Sequence, residues 1–551
     1  MQDAFLGELP SELLLHLLSF LSHSSLLSLS RTSRSFHSLI QSTVLPRFAL
    51  SRLNYSPSTL KHLHDHRNTR QRWTWGKKAL WAERVGRRWS EWEFSGVSFG
   101  GWERTMPVVK LWQVEKGVAG VLIARGRGLE WWVAVDVRGT MDCVQVVVKG
   151  YDQGYGRKMT KSALDDITAL TEGGRAGEII VARVSGVVQR LKVVDLGGRG
   201  RPIVLEETTR YSVPQSDRAR PGSTAVQALH STSNVLVSAS TTRLRPPNPR
   251  EVALDENDSL AHTLMKRAAP KRHQVSVHSI VSPWQSPAVI PLSSKPWAVQ
   301  LAPSPSPSWL AIGQSGTSPL TLVQLDSTGT PVPSSSTSLA RTSKSTSVYS
   351  LTTPSLDCSP FLRPDQTLIA AFFDATTRIY DLRIPTSPSS SSSALTTVSN
   401  WNDDDSPSNE ILRLCDPWSD DPSYSVASGG PLGAYIAVGS ARNSAVRIFD
   451  IRNPSHSTSS KDSSSSRSSR GITAFGPKGD RSPVYGLSVE NSRIWGVTEK
   501  SGFVFNFHAD ERDGRGEERV AYVGHEGEGK GELKRTGERL SRKNRVSEII
   551  E

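Results

Sequence analysis

TLIAAFFDATTRIYDLR (residues 367–383) and AYIAVGSARNSAVRIFDIR (residues 434–452) read alike: an apolar run, a tight polar turn, then a second apolar run closing on an aromatic residue and an aspartate. Short apolar runs separated by turn residues are the signature of a β-hairpin. A hairpin that recurs along a chain points to an array of small sheets.

Working outward, weaker copies are GVLIARGRGLEWWVAVDVR around Asp136, EIIVARVSGVVQRLKVVDL around Asp195 and SWLAIGQSGTSPLTLVQLD ending at Asp326. Two further copies lack the aspartate. One is NVLVSAS, a long insert, then VSVHSI with His278 at the anchor; the other is RIWGVTEKSGFVFNF with Asn506 there. The anchors therefore fall at 136, 195, 278, 326, 381, 450 and 506. Another short run precedes each hairpin: VVKLW, ITALT, AVQAL, WAVQL, VYSL, YSVAS and VYGLSV. Four strands per unit follow if each spacer adds an outer strand, such as IVLEETTRYSV (203–213) or VAYVGH (520–525).

This pattern resembles a WD-repeat β-propeller, with Tyr380-Asp381 and Phe449-Asp450 in place of Trp-Asp, Asp374 at a hairpin turn and one Gly-His at Gly524-His525. Seven blades are expected, the ring closing through residues near Phe94 to Phe99 or through the Val520 segment.

The first fifty residues are of another kind. FLGELPSELLLHLLSFLSHSSLLSLSRTSRSFHSLIQSTVLPRF (5–48) places leucines at helical spacing between short Ser/His turns. So small a unit cannot bury that many leucines in itself, so the surplus predicts an interface. The segment resembles an F-box, the module that docks on the Skp-type adaptor of SCF ubiquitin ligases. The residues that match are Leu9, Pro10, Glu12, Leu13, Leu14, Leu17, Leu18, Phe20, Leu21, Leu26, Leu27, Leu29, Ser30 and Phe36. The resemblance implies adaptor binding through Leu9, Pro10, Leu13, Leu14, Leu17, Leu18, Leu21, Leu26, Leu27, Leu29 and Phe36. His23, Ser24 and Ser25 depart from its usual acidic/proline turn.

Between these parts lies a basic stretch holding seven of the chain's 15 tryptophans, from Trp73 to Trp112. It reads as a helical joint whose apolar area fixes one domain on the next. His62, His64, Asp65 and His66 lack a metal-binding pattern, because on a helix His64 leaves the face shared by the other two.

The expected architecture is an α+β multidomain chain: F-box (1–50), Trp-rich helical connector (51–105), all-β propeller (106–526) with disordered serine-rich loops, and a charged disordered tail (527–551). In a propeller, b–c turns and d–a links share one face, and a–b and c–d loops the other. The serine tracts 386–394 and 454–470 are expected on the latter. The basic insert 241–273 and the acidic Asp403-Asp404-Asp405 are expected on the former, which the resemblance makes the target-binding side. Arg125, Arg127, Arg243 and Arg442 are the candidate target contacts there, since the resemblance implies arginines that cradle a phosphorylated target by bidentate bonds to phosphate oxygens.

The bulk numbers bound this reading. The 551 residues exceed one ordinary domain, and a net charge of +13 favours acidic partners. Cys143, Cys358 and Cys415 lie far apart, predicting neither disulfides nor a cysteine zinc site. Neither a signal peptide nor a membrane span is expected. No nucleotide loop, zinc-protease motif or nucleophile elbow occurs, so no catalysis, cofactor or metal is expected. The expected role is the substrate-recognition subunit of an SCF-type cullin ligase, binding a Skp-type adaptor and a target protein, with a cytoplasmic or nuclear location. Basic runs at 266–273 and 534–545 resemble nuclear-import patches. The alternatives are a propeller scaffold outside a cullin ligase, or a basic RNA- or chromatin-binding protein.

Overall fold

The computed structural model describes residues 9–53, 75–102, 106–115, 118–137, 140–149, 166–195, 203–211, 213–214, 219–244, 271–304, 306–333, 335–355, 362–383, 409–416, 419–454, 469–477, 481–490 and 492–507. Outside them lie His62, His64, Asp65, His66, Arg67, Arg70, Arg72, Cys358, Asp403-Asp404-Asp405, Gly524-His525, the Val520 segment, most of the basic insert and serine tracts, and the tail.

Among the described residues, α1 (Ser11–Ser19), α2 (His23–Ser30), α3 (Arg34–Leu39), α4 (Leu45–Leu53) and α5 (Trp75–Ser90) come first, with a π-helical turn Ile40–Val44 between α3 and α4. Serine hydroxyls start two of them. Ser22 Oγ accepts from Ser25 N at 3.2 Å and Ser33 Oγ from Phe36 N at 3.1 Å, satisfying donors that a helix start leaves free.

The remainder is β-structure in seven four-stranded antiparallel blades among the described residues. They span 108–149, 167–211, 219–292, 296–340, 346–414, 423–475, and 486–506 together with Ser95–Phe99. The innermost strands neighbour one another in cyclic order, and the seventh returns to the first, so the sheets form a closed ring. Hydrogen-bonded bridges tie the outer strands of blades one and two and, between blades four and five, Ser315 to Ser347. Every predicted inner run and hairpin falls in its own blade.

Asp195, Asp381 and Asn506 end the third strands of their blades, Asp136 and His278 stand next to the end, Asp326 follows its strand, and Asp450 lies inside Ala445–Pro454. Their chemistry is local. Asp381 accepts from Arg383 N at 3.0 Å and Asp450 from Arg452 N at 3.0 Å, with the guanidinium groups closing on the same carboxylates. Each aspartate thus fixes the chain as it leaves the sheet.

Closure uses the first of the two expected routes. Ser95–Phe99 is the outermost strand of blade seven, in register from Ser95 opposite Asn506 to Phe99 opposite Gly502. The range expected as connector, 51–105, therefore contains a propeller strand. A second difference concerns Asp403-Asp404-Asp405. The described strands flanking 384–408 are Thr377–Asp381 and Glu410–Leu414, the third and fourth of blade five, so this link is c–d and not d–a. Glu410–Leu414 is short and lies well beyond the serine tract, so its sequence alone does not announce a strand.

One hydrophobic cluster runs from the helices into blades six and seven. It joins Leu14, Leu18, Leu26, Ile40 and Leu45 to Ala82, Val85 and Trp89 of α5 and to Tyr435, Ile448, Phe503, Phe505 and Phe507. Trp89 stacks on Phe507 with ring centroids 3.9 Å apart and leans on Tyr435 at 4.6 Å. Gly430, at φ 74°, lets this happen, since a Cβ there would lie 2.9 Å from the Tyr435 ring and 3.3 Å from that of Trp89. The contact lies at the a–b loop of blade six, so the helices sit on the a–b/c–d face of the ring.

Candidate functional site

Helix α1 divides its leucines by spacing. Leu14 and Leu18, four residues apart, turn inward and are buried; Leu26 of α2 joins them. Leu13 and Leu17 form the next row and are 55% and 48% exposed, and Phe20 just beyond the helix is 75% exposed. His16 meets the Phe20 ring edge-on at 4.9 Å. Pro10 is exposed, while Leu9, Leu21, Leu27, Leu29 and Phe36 are half-buried at the margin of the core. Of the eleven residues assigned to the adaptor, Leu14, Leu18 and Leu26 thus already have partners within the chain. Leu13, Leu17 and Phe20 make an open apolar row, and Phe20 belonged to the motif but not to that set.

On the opposite face, the four candidate arginines lie in or beside the b–c hairpin turns of three blades. Arg125 and Arg127 lie in the b–c hairpin of blade one, Arg243 in that of blade three and Arg442 in that of blade six. Arg125 holds Glu130 at 2.5 Å and lies over the Trp102 ring at 5.7 Å; Arg442 lies 3.7 Å from Asp421. In both pairs the carboxylate is buried and the arginine more open, so each guanidinium is held close to its own hairpin.

The F-box-like family profile matches residues 6–47. The chain joins an F-box-like domain to a β-propeller. Among solved structures it is similar to the Myceliophteria thermophila Cps50 (Swd1) β-propeller domain, at 12% identity, covering 74% of this chain and 99% of that one, with a TM-score of 0.41. It is also similar to the WD40 β-propeller domain of Doa1, at 11% identity, covering 75% and 96%, with a TM-score of 0.40. No curated protein matches it.

The F-box-like domain, then, presents Leu13, Leu17 and Phe20 from one face of the molecule, while the other face carries a feature that reading the sequence missed. Trp297, Tyr349, Tyr424 and Tyr485 stand at or near the start of the innermost strands of blades four to seven. Their rings touch in series: Trp297 to Tyr349 at 4.9 Å, Tyr349 stacked on Tyr424 at 4.9 Å, and Tyr424 to Tyr485 at 5.4 Å. Phe373, 49% exposed in the b–c turn of blade five, joins Tyr349 at 5.7 Å. Trp297 Nε1 donates to Ser315 Oγ at 2.8 Å, and Ser315 lies 2.8 Å from Ser347, so the arc is pinned across the seam of blades four and five. Burial, then the neighbouring phenols Tyr485 and Tyr349, push the Tyr424 phenol up to about 12, which keeps it protonated at neutral pH.

The arc ends at a basic corner. Lys295 Nζ sits 3.4 Å from the Trp297 ring centre. Lys271 faces Arg243 across the third-blade hairpin. Burial, and next the Lys271 charge, hold Lys295 below the usual lysine range, and the same two causes, with Lys295, lower His273. Among the described residues, no group of three His, Cys, Asp or Glu could hold a metal, and no helix is long and apolar enough to cross a membrane.

Proposed function

We propose that the chain is a non-catalytic receptor subunit of an SCF-type cullin ubiquitin ligase, docking on a Skp-type adaptor through Leu13, Leu17 and Phe20 and holding a target protein on the b–c/d–a face of the propeller. The supporting observation is the open leucine row. Helix α1 has satisfied its own core with Leu14 and Leu18, yet still presents an apolar face to solvent inside an F-box-like domain. Exposed apolar rows of this kind mark protein interfaces. Half-buried Leu9, Leu21, Leu27, Leu29 and Phe36 and exposed Pro10 form the rim of the same surface. The role needs no reactive group in this chain and places the protein in the cytoplasm or nucleus.

The test is co-purification with a Skp-type adaptor and its cullin. Leu13→Asp/Leu17→Asp is expected to lose adaptor and cullin together while its circular dichroism matches wild type, because both positions face solvent. Undiminished adaptor retention by that variant would refute the docking surface. Adaptor retained without cullin would favour a scaffold outside the ligase.

A further inference from the structure

Among the described residues, the top surface of blades three and four carries one sign of charge. The segments that reach it, 241–244, 271–274, 293–295, 314–320 and 341–345, carry Arg243, Lys271, Arg272, Lys295, Arg341 and Lys344 and no acidic residue. All but the half-buried Lys295 are exposed. Like charges facing each other across a hairpin, as Arg243 and Lys271 do, are destabilising in an isolated sheet. Among the described residues, no ion pair with a carboxylate offsets them. The aromatic arc starts at this corner, at Trp297 under Lys295, and runs over the next three blades.

From this juxtaposition we infer that Lys271, Lys295 and Arg243, with the arc of Trp297, Tyr349, Phe373, Tyr424 and Tyr485, form the target site, and that its ligand is an unmodified peptide segment with a block of carboxylates followed by apolar or aromatic residues. The inference rests on the receptor reading above and supplies its target class. The carboxylates meet the cations, and the apolar side chains cover Phe373 and the half-buried rings. A nucleic acid fits less well. Bases need open ring faces to stack on, but Lys295 covers a face of Trp297, and Tyr349 and Tyr424 cover each other. Lysines act as point charges that take a carboxylate as readily as a phosphate, and in the facing pair Arg243 and Lys271 a single guanidinium stands opposite an ammonium, so that pair lacks the two forks that favour phosphate.

The experiment selects a display library of random unmodified peptides on the full-length chain bound to its adaptor, then measures enriched peptides by fluorescence anisotropy. Enrichment of Asp/Glu blocks next to Phe, Tyr, Trp or Leu is expected. Lys271→Glu/Lys295→Glu should weaken such a peptide by at least about tenfold. Tyr349→Ser/Phe373→Ser should weaken it with its salt dependence unchanged, which a merely structural defect would not reproduce. Enrichment without acidic residues, equal affinity for Lys271→Glu/Lys295→Glu, or peptides that bind only when phosphorylated would each overturn the inference. So would displacement of the peptide by single-stranded RNA at equal concentration. Adaptor capture by the lysine variant separates failure of this site from failure of the receptor reading, since Leu13 and Leu17 lie on the other face.

Discussion

At the scale of single residues, the buried histidines tie the ring to pH. His278, an anchor next to the end of a third strand, is buried, touches Ser238 Oγ at 3.3 Å and meets the Tyr211 ring edge-on at 5.6 Å; burial lowers its pKa to about 4. His230 is lowered to about 3, by burial and then by Lys110, and its Nδ1 accepts from Leu301 N at 3.3 Å, a bond that protonation would remove. In the unfolded chain both groups take a proton near pH 6.5, whereas the fold keeps it off. Between these limits the unfolded state binds more protons, so stability is full above about pH 6.5 and falls as pH drops toward 4. Urea titrations should show the midpoint falling across that window, by the equivalent of up to roughly 3 kcal/mol for His278. His278→Asn should flatten the fall, and an unchanged pH profile in that variant would exclude His278 as its source.

At the scale of elements, the strand Ser95–Phe99 decides whether the ring is closed. Val97 pairs with Val504, and Phe99 packs on Trp132 at 4.7 Å and Trp495 at 5.7 Å. Val97→Pro puts a residue without an N–H and with a fixed φ in the middle of this outermost strand, opposite Val504, and so is expected to bare an edge on the Gly502–Asn506 strand. The variant is expected to elute as aggregate in size-exclusion chromatography where wild type elutes as one species. A monomeric Val97→Pro protein with wild-type melting would show that closure does not depend on this strand. Such elements differ in how openly the sequence displays them. The hairpins are legible because apolar alternation and the terminal aspartate lie within twenty or so consecutive residues. Outer strands such as Glu410–Leu414 are short and separated from their hairpins by long polar tracts, so neither period nor neighbour announces them. The leucines of α1 announce a helix, but whether Leu13 or Leu14 faces the core is settled only once α5 and blade six arrive. The aromatic arc is the extreme case: Trp297, Tyr349, Tyr424 and Tyr485 are far apart in the chain and meet only because the ring sets one inner strand beside the next.

At the scale of the whole molecule, the F-box-like helices and the last two blades share one core, which fixes the leucine row on one face and the arc on the other. Removing its centre should uncouple the helices from the ring. Trp89→Ala is expected to cost about 3–5 kcal/mol, the usual range for deleting a large buried aromatic. Calorimetry should show one transition in wild type and, in the variant, a separate lower-melting transition for the helices. A single transition of wild-type midpoint in the variant would mean that the joint bears no load.

The strand that closes the ring leaves the ribosome roughly 400 residues before the strand it pairs with. During synthesis the leucine-rich helices are therefore complete while the ring is still open and Phe99 and Trp102 lack their partners. A message cut short before blade seven would yield the leucine-rich helices without Phe503, Phe505 and Phe507, the blade-seven share of the core they pack into.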